Sequence, residues 1–476
     1  MKKALISVLF VLLFSAVILA QGPKYIFMFI GDGMGIPQTN AAQIYQSTLG
    51  NAEVPKLNML TFPVQGMTTT YAANAFITDS AAAGTALATG YKTNSGIISL
   101  DPSLNTVLET LAERAKILGR KVGIISSVSI DHATPAVFYA HQASRSSYYE
   151  ISKQLVESGF DFFGGGSVRY PNGKKNDQEN IFDYALTNGY HVIQTQSENE
   201  RFDAMAKTAD YDKVWVINEN LDSSSAMQYA MDEQETFDLA DITRTAINYL
   251  DNDNGFFIMV EGGKIDWACH ANDAAASIKD TLDFDKAVKE AITFYNKHPN
   301  ETLIIITGDH ETGGLTIGFA GTKYNSNPEL IRYQSESYDI FTNRLYELKN
   351  AGTLNSFEVE LMPEVEKAFG LYLESSSAAN PDMILSAYEE KQLRNAFDAF
   401  VNGVENDEEI YLLYGGYNPI AMTCTHILNQ KSGLGWTTYA HTGVPVVTYA
   451  MGVGQELFGG YYDNTDIAKN LFALLK

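Results

Sequence analysis

The stretch KYIFMFIGDG, residues 24–33, decides the fold class, because an unbroken apolar run ends abruptly in glycine and aspartate. A run of this kind is typical of a strand that is buried on both faces of a sheet. The same design recurs in RKVGIISSVSIDHATP (120–135), NGFFIMVEGG (254–263) and ETLIIITGDHETGG (301–314). We therefore expect several buried strands whose carboxyl ends carry polar residues.

Helical patterns lie between these strands, for example in residues 104–119 and 274–298. Strands that alternate with helices predict an α/β fold, with a mostly parallel central sheet and helices on both faces. Ligands of such sheets bind beyond the carboxyl ends of the strands. The polar residues expected at those ends are Asp32, Asp131, His132, Glu261, Asp309 and His310.

The first 20 residues have the layout of a cleavable signal peptide. Lys2 and Lys3 precede an apolar run over residues 4–20, which a polar Gln21 follows. A retained membrane anchor is the alternative, but the run is at the short end for spanning a bilayer. We expect a soluble protein, periplasmic or secreted, with no membrane anchor once the signal is removed.

The rest of the chain divides into a core and an insertion. Residues 21–320 are expected to form the first part of the α/β core, and residues 321–435 change to amphipathic helices separated by Ser, Asn and Gly clusters. We interpret that region as a helical insertion. Residues 436–476 then return to the core with a strand and a closing helix.

Charge and cysteine content exclude several classes of protein. The formal net charge is −24, and it becomes −26 without Lys2 and Lys3. Such an acidic chain has no basic surplus for nucleic acid or anionic membranes. Cys269 and Cys424 are the two cysteines, which is too few for a disulfide scaffold or a Cys-ligated zinc protein. The sequence does not decide whether they pair.

Two short stretches have spacing that suits a metal ion. Asp266 and His270 are four residues apart, which places both side chains on one face of a helix. Asp309 and His310 follow a strand, and adjacent residues in a loop can converge on one ion. Each pair alone is more often a surface, capping or turn contact. Imidazole with carboxylate suits zinc, whereas carboxylate with hydroxyl suits magnesium. The histidines outside such company are expected to be structural or solvated: His141, His191, His298 and His426.

Ser80, in ITDSAAAGTALATG (77–90), has two interpretations from local chemistry. Thr78, Asp79 and Ser80 are all good helix caps before an alanine run. A helix N-terminus also carries partial positive charge, which attracts phosphate-like anions and favours a developing alkoxide. Both a cap and a nucleophile therefore remain open for Ser80.

Six stretches together resemble the alkaline phosphatase family, in the order in which that family carries its site. They are FIGDGMG (29–35), TDSAAAGTA (78–86), DHATPAVFYAHQASR (131–145), VEGGKIDWACH (260–270), TGDHETGG (307–314) and HTG (441–443). The glycine-rich FDFFGGGSVRY (160–170) also resembles a family segment, for which we favour a structural turn over a phosphate cradle. The resemblance spans most of the mature chain outside the insertion.

The resemblance implies two zinc ions and one magnesium ion per subunit. Its implied ligands are Asp266, His270 and His441 for the first zinc, Asp32, Asp309 and His310 for the second, and Asp32, Thr134 and Glu261 for magnesium. It also implies that Ser80 attacks phosphorus to give a phosphoseryl intermediate, that Arg145 grips two phosphate oxygens and that Asp79 positions Arg145. The implied activity is hydrolysis of phosphate monoesters, and the long insertion implies a homodimer.

Two positions depart from some bacterial members, which have an aspartate where His132 stands and a lysine where Trp267 stands. His132 would bind a magnesium-coordinated water or favour zinc in the third site, and Trp267 would form a pocket wall; packing roles are the alternative for both. A phosphodiesterase or related metal-dependent hydrolase of the same superfamily is the alternative activity, although such an enzyme typically has a threonine nucleophile and lacks the arginine. A non-catalytic exported metal or phosphate binder is the alternative from another class. Sulfatase and Ser-His-Asp esterase motifs are not found around Ser80.

Overall fold

The structure is a computed structural model that describes residues 22–50, 56–232, 237–374, 380–403 and 407–476. The predicted signal peptide, residues 1–20, lies outside the described residues. The described strands are β1 (Tyr25–Gly31), β2 (Val64–Thr69), β3 (Lys121–Ser126), β4 (Phe162–Gly165), β5 (Tyr190–Ile193), β6 (Lys213–Ile217), β7 (Phe256–Gly262), β8 (Thr302–Gly308), β9 (Glu311–Thr312), β10 (Thr316–Ile317), β11 (Leu434–Gly435), β12 (His441–Thr442), β13 (Val446–Gly452) and β14 (Gly460–Asp463).

The central sheet has ten strands in the order β14-β2-β13-β8-β1-β7-β3-β4-β6-β5. Its centre is parallel: Tyr25 of β1 aligns with Phe256 of β7 on one side and with Thr302 of β8 on the other. The exception is β13, which runs antiparallel to both β2 and β8. The prediction of a mostly parallel sheet is therefore confirmed, and the four apolar runs are its four central strands β8, β1, β7 and β3.

Helices cover both faces of this sheet, as predicted. The described α-helices are α1 (Ile36–Thr48), α2 (Ser80–Thr89), α3 (Leu111–Ile117), α4 (Ala133–Ala136), α5 (Tyr148–Glu157), α6 (Ile181–Thr187), α7 (Gln196–Met205), α8 (Leu239–Leu250), α9 (Lys264–His270), α10 (Ala274–Tyr295), α11 (Tyr338–Asn350), α12 (Met362–Phe369), α13 (Ala387–Asn402), α14 (Asp407–Tyr414), α15 (Pro419–Ser432) and α16 (Asn464–Leu474).

Strand β1 shows why both faces need a cover. Successive side chains of a strand point to opposite faces. Phe27 and Phe29 pack into one core cluster with α8 and α10, whereas Ile26 and Met28 pack into a second cluster with α2, α3 and α16. Because both sets are fully buried, this strand has no polar face to offer to solvent.

The predicted insertion contains α11 to α15, which have an apolar core of their own. Phe341 of α11, Phe369 of α12, Leu393 of α13 and Ile420 of α15 belong to one buried cluster. The region is helical, as its pattern predicts. Its boundaries at residues 321 and 435 stay a prediction.

The helix predicted over residues 104–119 is shorter than its pattern. The carboxylate of Asp101 accepts hydrogen bonds from the backbone N–H groups of Asn105 and Thr106, and this forms a turn where the helix was expected. Thr110 and Glu113 then form a reciprocal capping box that begins α3 at Leu111. Of the apolar residues before Thr110, Leu108 is buried, whereas Leu104 and Val107 are exposed, so their spacing does not mark a packed helix face.

The glycines at the end of β4 permit a close approach between backbones. Gly165 has a φ of +115°, and a Cβ added there would lie 1.8 Å from the carbonyl oxygen of Ser126 in β3. Gly166 is similarly close to the carbonyl oxygen of Val128. This crowding gives the glycines a structural role and supports the interpretation that they are not a phosphate cradle.

Cys269 and Cys424 are both buried free thiols. Among the helices of the described ranges, none is long and apolar enough to cross a membrane.

Candidate active site

The candidate residues lie where the central parallel strands end. Glu261 aligns with Ile30 of β1 and with Ser126 of β3, so its carboxylate stands at the carboxyl edge of the sheet. Asp32 and Asp309 follow directly after β1 and β8, which end side by side. The sheet therefore brings together carboxylates that are up to 277 residues apart in the sequence.

Ser80 is the first residue of α2, and Asp79 is its N-cap. The Asp79 carboxylate accepts a hydrogen bond from the backbone N–H of Ala82 at 3.0 Å. Ser80 is thus released from capping, and its hydroxyl oxygen lies 3.3 Å from Nε2 of His310. Of the three capping candidates in the sequence, Asp79 caps the helix, and the Ser80 hydroxyl faces His310.

Arg145 is held beside Ser80 by the same capping aspartate. Its guanidinium lies 3.0 Å from Asp79, and its other terminal nitrogen lies 3.1 Å from Nε2 of His132. Because a guanidinium can only donate, this His132 nitrogen is the acceptor. Asp79 also accepts from the backbone N–H of Gly96, so three elements meet at one carboxylate.

Asp266, His270 and His441 form the first group of side chains that could hold a metal ion. Helix α9 carries Asp266 and His270, with His270 Nε2 3.3 Å from Asp266 Oδ2. His270 Nε2 also lies 3.1 Å from His441 Nε2. The other ring nitrogens face backbone carbonyls, of Tyr439 at 2.6 Å and of Thr78 at 2.8 Å, which orients both Nε2 atoms toward the group.

The second group is centred on His310. Its Nε2 lies 3.3 Å from Asp32 Oδ1 and 3.2 Å from Asp309 Oδ2, so the structure brings the three predicted residues together. The residues whose potential metal-ligand atoms all lie within 4.8 Å of one another are Asp32, Asp266 and His310, so Asp266 stands in this set in place of the predicted Asp309. His310 also stacks on His441 with ring centroids 3.5 Å apart, so the first two groups adjoin.

The third group contains Asp32, His132 and Glu261. Thr134 donates a hydrogen bond to Asp32 Oδ2 at 3.2 Å, so all the predicted magnesium residues are together. His132 is buried, and one of its ring nitrogens lies within 4.8 Å of carboxylate oxygens of Asp32 and Glu261. Trp267, predicted as a pocket wall, packs edge-on against His132 at 5.8 Å between ring centroids.

The buried carboxylates at these groups have oxygens that are not hydrogen-bonded. Asp32 Oδ1, Asp309 Oδ2 and Glu261 Oε1 are fully buried and accept no hydrogen bond from the described residues, although His310 Nε2 lies within 3.3 Å of the two aspartate oxygens. Burial and the neighbouring carboxylates raise the pKa of Asp32 and Asp309 well above the usual range, and burial raises the pKa of Glu261 to about 7. Unpartnered buried oxygens of this kind fit bound cations, which would reverse the direction of these shifts.

The histidines respond to the same charges. Burial opposes a charge on His270, but Asp266 outweighs burial and raises the pKa to about 9. Burial, and after it the neighbouring His441, lowers the pKa of His310 well below its usual range. Burial and Arg145 lower the pKa of His132 to about 3. Neutral imidazoles are the form that binds a metal.

Sequence reasoning missed two hydroxyl groups. Thr312 donates to Asp266 Oδ1 and lies 3.2 Å from His310 Nδ1, which joins the first two groups. Ser126 donates to Glu261 Oε2. The available signal was their position, since Ser126 ends a buried strand and Thr312 lies two residues after His310.

Comparison with known proteins places this geometry in a family. The family model described as alkaline phosphatase matches residues 23–476. Alkaline phosphatase 4 of Bacillus subtilis is 32% identical over 466 residues, which cover 95% of this chain and 89% of the relative.

Solved structures agree with this match. A cold-active alkaline phosphatase from a psychrophilic Shewanella is similar with a TM-score of 0.76 and 28% identity, covering 95% of this chain and all of that one. A variant of the TAB5 alkaline phosphatase with magnesium bound in its M3 site has a TM-score of 0.65 and 25% identity, covering 96% of this chain and 99% of that one. The family and the fold support a phosphatase function, and the grouped carboxylates and histidines support metal binding. The family model matches residues 23–476, and the sheet carries buried carboxylates at the edge where the resemblance places the site. The chain therefore belongs to the alkaline phosphatase family.

Proposed function

We propose that this protein hydrolyses phosphate monoesters to an alcohol and inorganic phosphate through a phosphoseryl intermediate on Ser80. The observation that carries the proposal is the placement of the Ser80 hydroxyl 3.3 Å from His310 Nε2, beside an arginine fixed by Asp79. A nucleophile, a phosphate-binding cation and grouped metal ligands then surround one point.

The proposed cofactors are two zinc ions and one magnesium ion. Asp266, His270 and His441 would hold the first zinc, Asp32, Asp309 and His310 the second, and Asp32, Thr134 and Glu261 the magnesium, with His132 beside it. When bound, these cations would supply positive charge that activates the serine hydroxyl and stabilises the leaving oxygen. The TAB5 variant with magnesium in its M3 site supports a magnesium ion in this family.

The chain's own residues then have defined tasks. Arg145 binds two phosphate oxygens and turns phosphorus toward Ser80. The Ser80 hydroxyl gives its proton to solvent and its oxygen forms a bond to phosphorus. The bond between phosphorus and the alcohol oxygen breaks, and that oxygen takes up a proton from solvent. The start of α2 faces this exchange with the positive end of its dipole. A water molecule then forms a bond to phosphorus from the side that the alcohol left, and the bond between phosphorus and the Ser80 oxygen breaks. The proton that water loses restores the serine hydroxyl, and phosphate is released.

Steady-state hydrolysis of an aryl phosphate monoester at alkaline pH tests the proposal. We expect activity that a chelator removes and zinc with magnesium restores, and a loss of at least about 10³-fold in Ser80→Ala. Ser386→Ala is the matched control, because Ser386 only caps helix α13 in the insertion. Activity that is indifferent to chelation, or unchanged in Ser80→Ala, would contradict the mechanism.

Assembly and location are also proposed. We expect a homodimer, for which the helical insertion supplies surface, and light scattering that gives the mass of one chain at working concentration would contradict it. We expect export with removal of residues 1–20. N-terminal sequencing of secreted material that begins at Met1 would contradict the export proposal.

A further inference from the structure

A buried lysine that the proposed reaction does not use lies next to the candidate active site. Lys264 is the first residue of α9, the helix that carries Asp266 and His270, and its side chain is only 1% exposed. Its ammonium lies 2.7 Å from Asp222 Oδ2. Burying a charged pair is costly unless the two groups have good geometry and further hydrogen bonds. The buried position of Lys264 on this helix therefore indicates a function beyond stability.

Two aromatic rings also lie against this ammonium. Its nitrogen lies 3.8 Å from the ring centroid of Tyr229 and 4.9 Å from that of Trp267. Lys264 and Trp267 are three residues apart on α9, which places them on the same side of the helix. A desolvated cation over an aromatic face is attracted by the ring, so Lys264 restrains the position of the Trp267 indole.

Trp267 also contacts His132, which in turn contacts the proposed phosphate-binding arginine. The indole packs edge-on against His132, with an interplanar angle of 81°. His132 Nε2 accepts from the Arg145 guanidinium at 3.1 Å, and His132 Nδ1 is buried without a hydrogen-bond partner among the described residues. No hydrogen bond from the described residues fixes the imidazole at Nδ1, so its orientation depends on the Nε2 contact with Arg145 and on packing against Trp267.

We propose that Lys264 is a positioning residue, which with Asp222 and Tyr229 fixes Trp267, and through Trp267 and His132 fixes the guanidinium of Arg145 for phosphate. The inference rests on the proposed function, in which Arg145 binds phosphate. Asp79 restrains one terminal nitrogen of the Arg145 guanidinium. The series of side-chain contacts from Lys264 through Trp267 and His132 restrains the other. Bidentate binding needs both restraints, because two phosphate oxygens must be met in one plane.

Affinity for inorganic phosphate, measured by calorimetry on the metal-loaded protein, tests this inference directly. We expect Lys264→Met to weaken phosphate binding about five- to tenfold, since one charge-assisted hydrogen bond is misaligned while the other stays. The zinc content, measured by mass spectrometry of the metals, should be unchanged. We expect Lys264→Arg to restore most of the affinity, because arginine also pairs with carboxylate and stacks on aromatic rings.

A double-mutant cycle separates positioning from a general loss of structure. In an Arg145→Ala background, Lys264→Met should cause no further loss of phosphate affinity, because the group that it positions is gone. Arg120→Met is the matched control: Arg120 is a buried cation that donates to the carbonyls of Pro23 and Lys24, away from the site. We expect the control to lower thermal stability and leave phosphate affinity unchanged.

The outcomes distinguish this inference from the proposed function. If Arg145→Ala leaves phosphate affinity intact, the proposed role of Arg145 is wrong. If Arg145→Ala weakens binding but Lys264→Met does not, or if the two losses add fully in the double variant, the positioning role of Lys264 is wrong. Asp222→Asn gives a second route, and it should weaken phosphate binding in the same direction if Lys264→Met fails to fold.

Discussion

The hydroxyl oxygen of Ser80 lies 3.3 Å from Nε2 of His310, and both side chains are almost completely buried. The same His310 nitrogen faces Asp32 and Asp309. A cation held by these three residues would therefore lie beside the serine oxygen. A neighbouring cation favours the alkoxide form of a hydroxyl, which is the form that attacks phosphorus.

Ser80 is predicted to carry phosphate during turnover. Acid quenching of the enzyme with a phosphate monoester should trap a phosphorylated peptide that contains Ser80, because an ester bond to serine survives acid that unfolds the site. Peptide mass spectrometry locates the added group. Ser80→Ala should show no added mass on this peptide while still binding inorganic phosphate. A trapped phosphate on another residue would assign the nucleophile elsewhere.

Arg145 and Asp79 are predicted to act as a pair in phosphate binding. Arg145→Ala should weaken inhibition by inorganic phosphate about tenfold to a hundredfold, the range for losing charge-assisted hydrogen bonds. Asp79→Asn should have a smaller effect of the same sign. Asparagine still caps α2, so helix stability is preserved while the charge that orients Arg145 is removed.

The control for this pair is Arg114→Ala. Arg114 forms an ion pair with Glu109 at the surface, with side chains that are 41% and 38% exposed. Exposed pairs contribute little, so both phosphate inhibition and stability should stay close to wild type. An equal loss in Arg114→Ala and Arg145→Ala would point to a nonspecific effect of charge.

The edge of the sheet was predictable because its signal is local. An apolar run that ends in Gly-Asp or Glu-Gly-Gly indicates a buried strand and its polar end, and this pattern alone predicts that Asp32, Glu261 and Asp309 lie at one edge. The grouping of His441 with Asp266 had no such signal. It depended on the resemblance to a family, since 175 residues separate the two.

Other features could not be read from side-chain patterns at all. Backbone carbonyls of Thr78 and Tyr439 orient His441 and His270, and every residue has a carbonyl. Three adjacent residues could cap α2, and only the tertiary contacts of Asp79 with Gly96 and Arg145 decide among them. Such choices are made by long-range contacts that compete with local preference.

The metal groups are predicted to lose different ions when different ligands are removed. His441→Ala should retain about one zinc fewer per chain, whereas Glu261→Gln should lose magnesium and keep both zinc ions, since imidazole favours zinc and hard oxygen ligands favour magnesium. Asp32→Asn should reduce both, because Asp32 belongs to the second and third groups. Metal-to-protein ratios after gel filtration provide the measurement.

His191→Ala is the control for the metal measurement. His191 stacks on Tyr211 with centroids 4.0 Å apart and belongs to none of the groups found among the described residues. Its removal should leave all metal ratios unchanged. Loss of magnesium alone from His441→Ala would contradict the proposed assignment of ligands.

The pair of His141 and Glu113 links loop and helix near the start of α3. His141 Nε2 lies 2.9 Å from Glu113 Oε1, and both side chains are mostly buried. Burial alone would raise the pKa of Glu113, but hydrogen bonds from His141 and Thr110 outweigh it and lower the pKa. Burial alone would lower the pKa of His141, but its bonds to Glu113 and to the Ser99 carbonyl outweigh it and raise the pKa.

These opposite shifts predict a pH window in which the pair stabilises the fold. The contribution of Glu113 is present above its ordinary pKa and is lost as pH falls through the lowered value; that of His141 is present below its ordinary pKa and is lost as pH rises through the raised value. Glu113→Gln keeps the capping box with Thr110 and removes the charge. The melting temperature of this variant should fall furthest below wild type between about pH 5 and 6.5, with a free-energy cost of about 1 kcal/mol, and the difference should shrink at about pH 9.

Thermal unfolding followed by circular dichroism measures this difference. Glu301→Gln is the control, because the His298–Glu301 pair is more exposed and its atoms lie 3.6 Å apart. A difference that is the same at every pH would mean that Glu113 stabilises the protein through packing and capping alone.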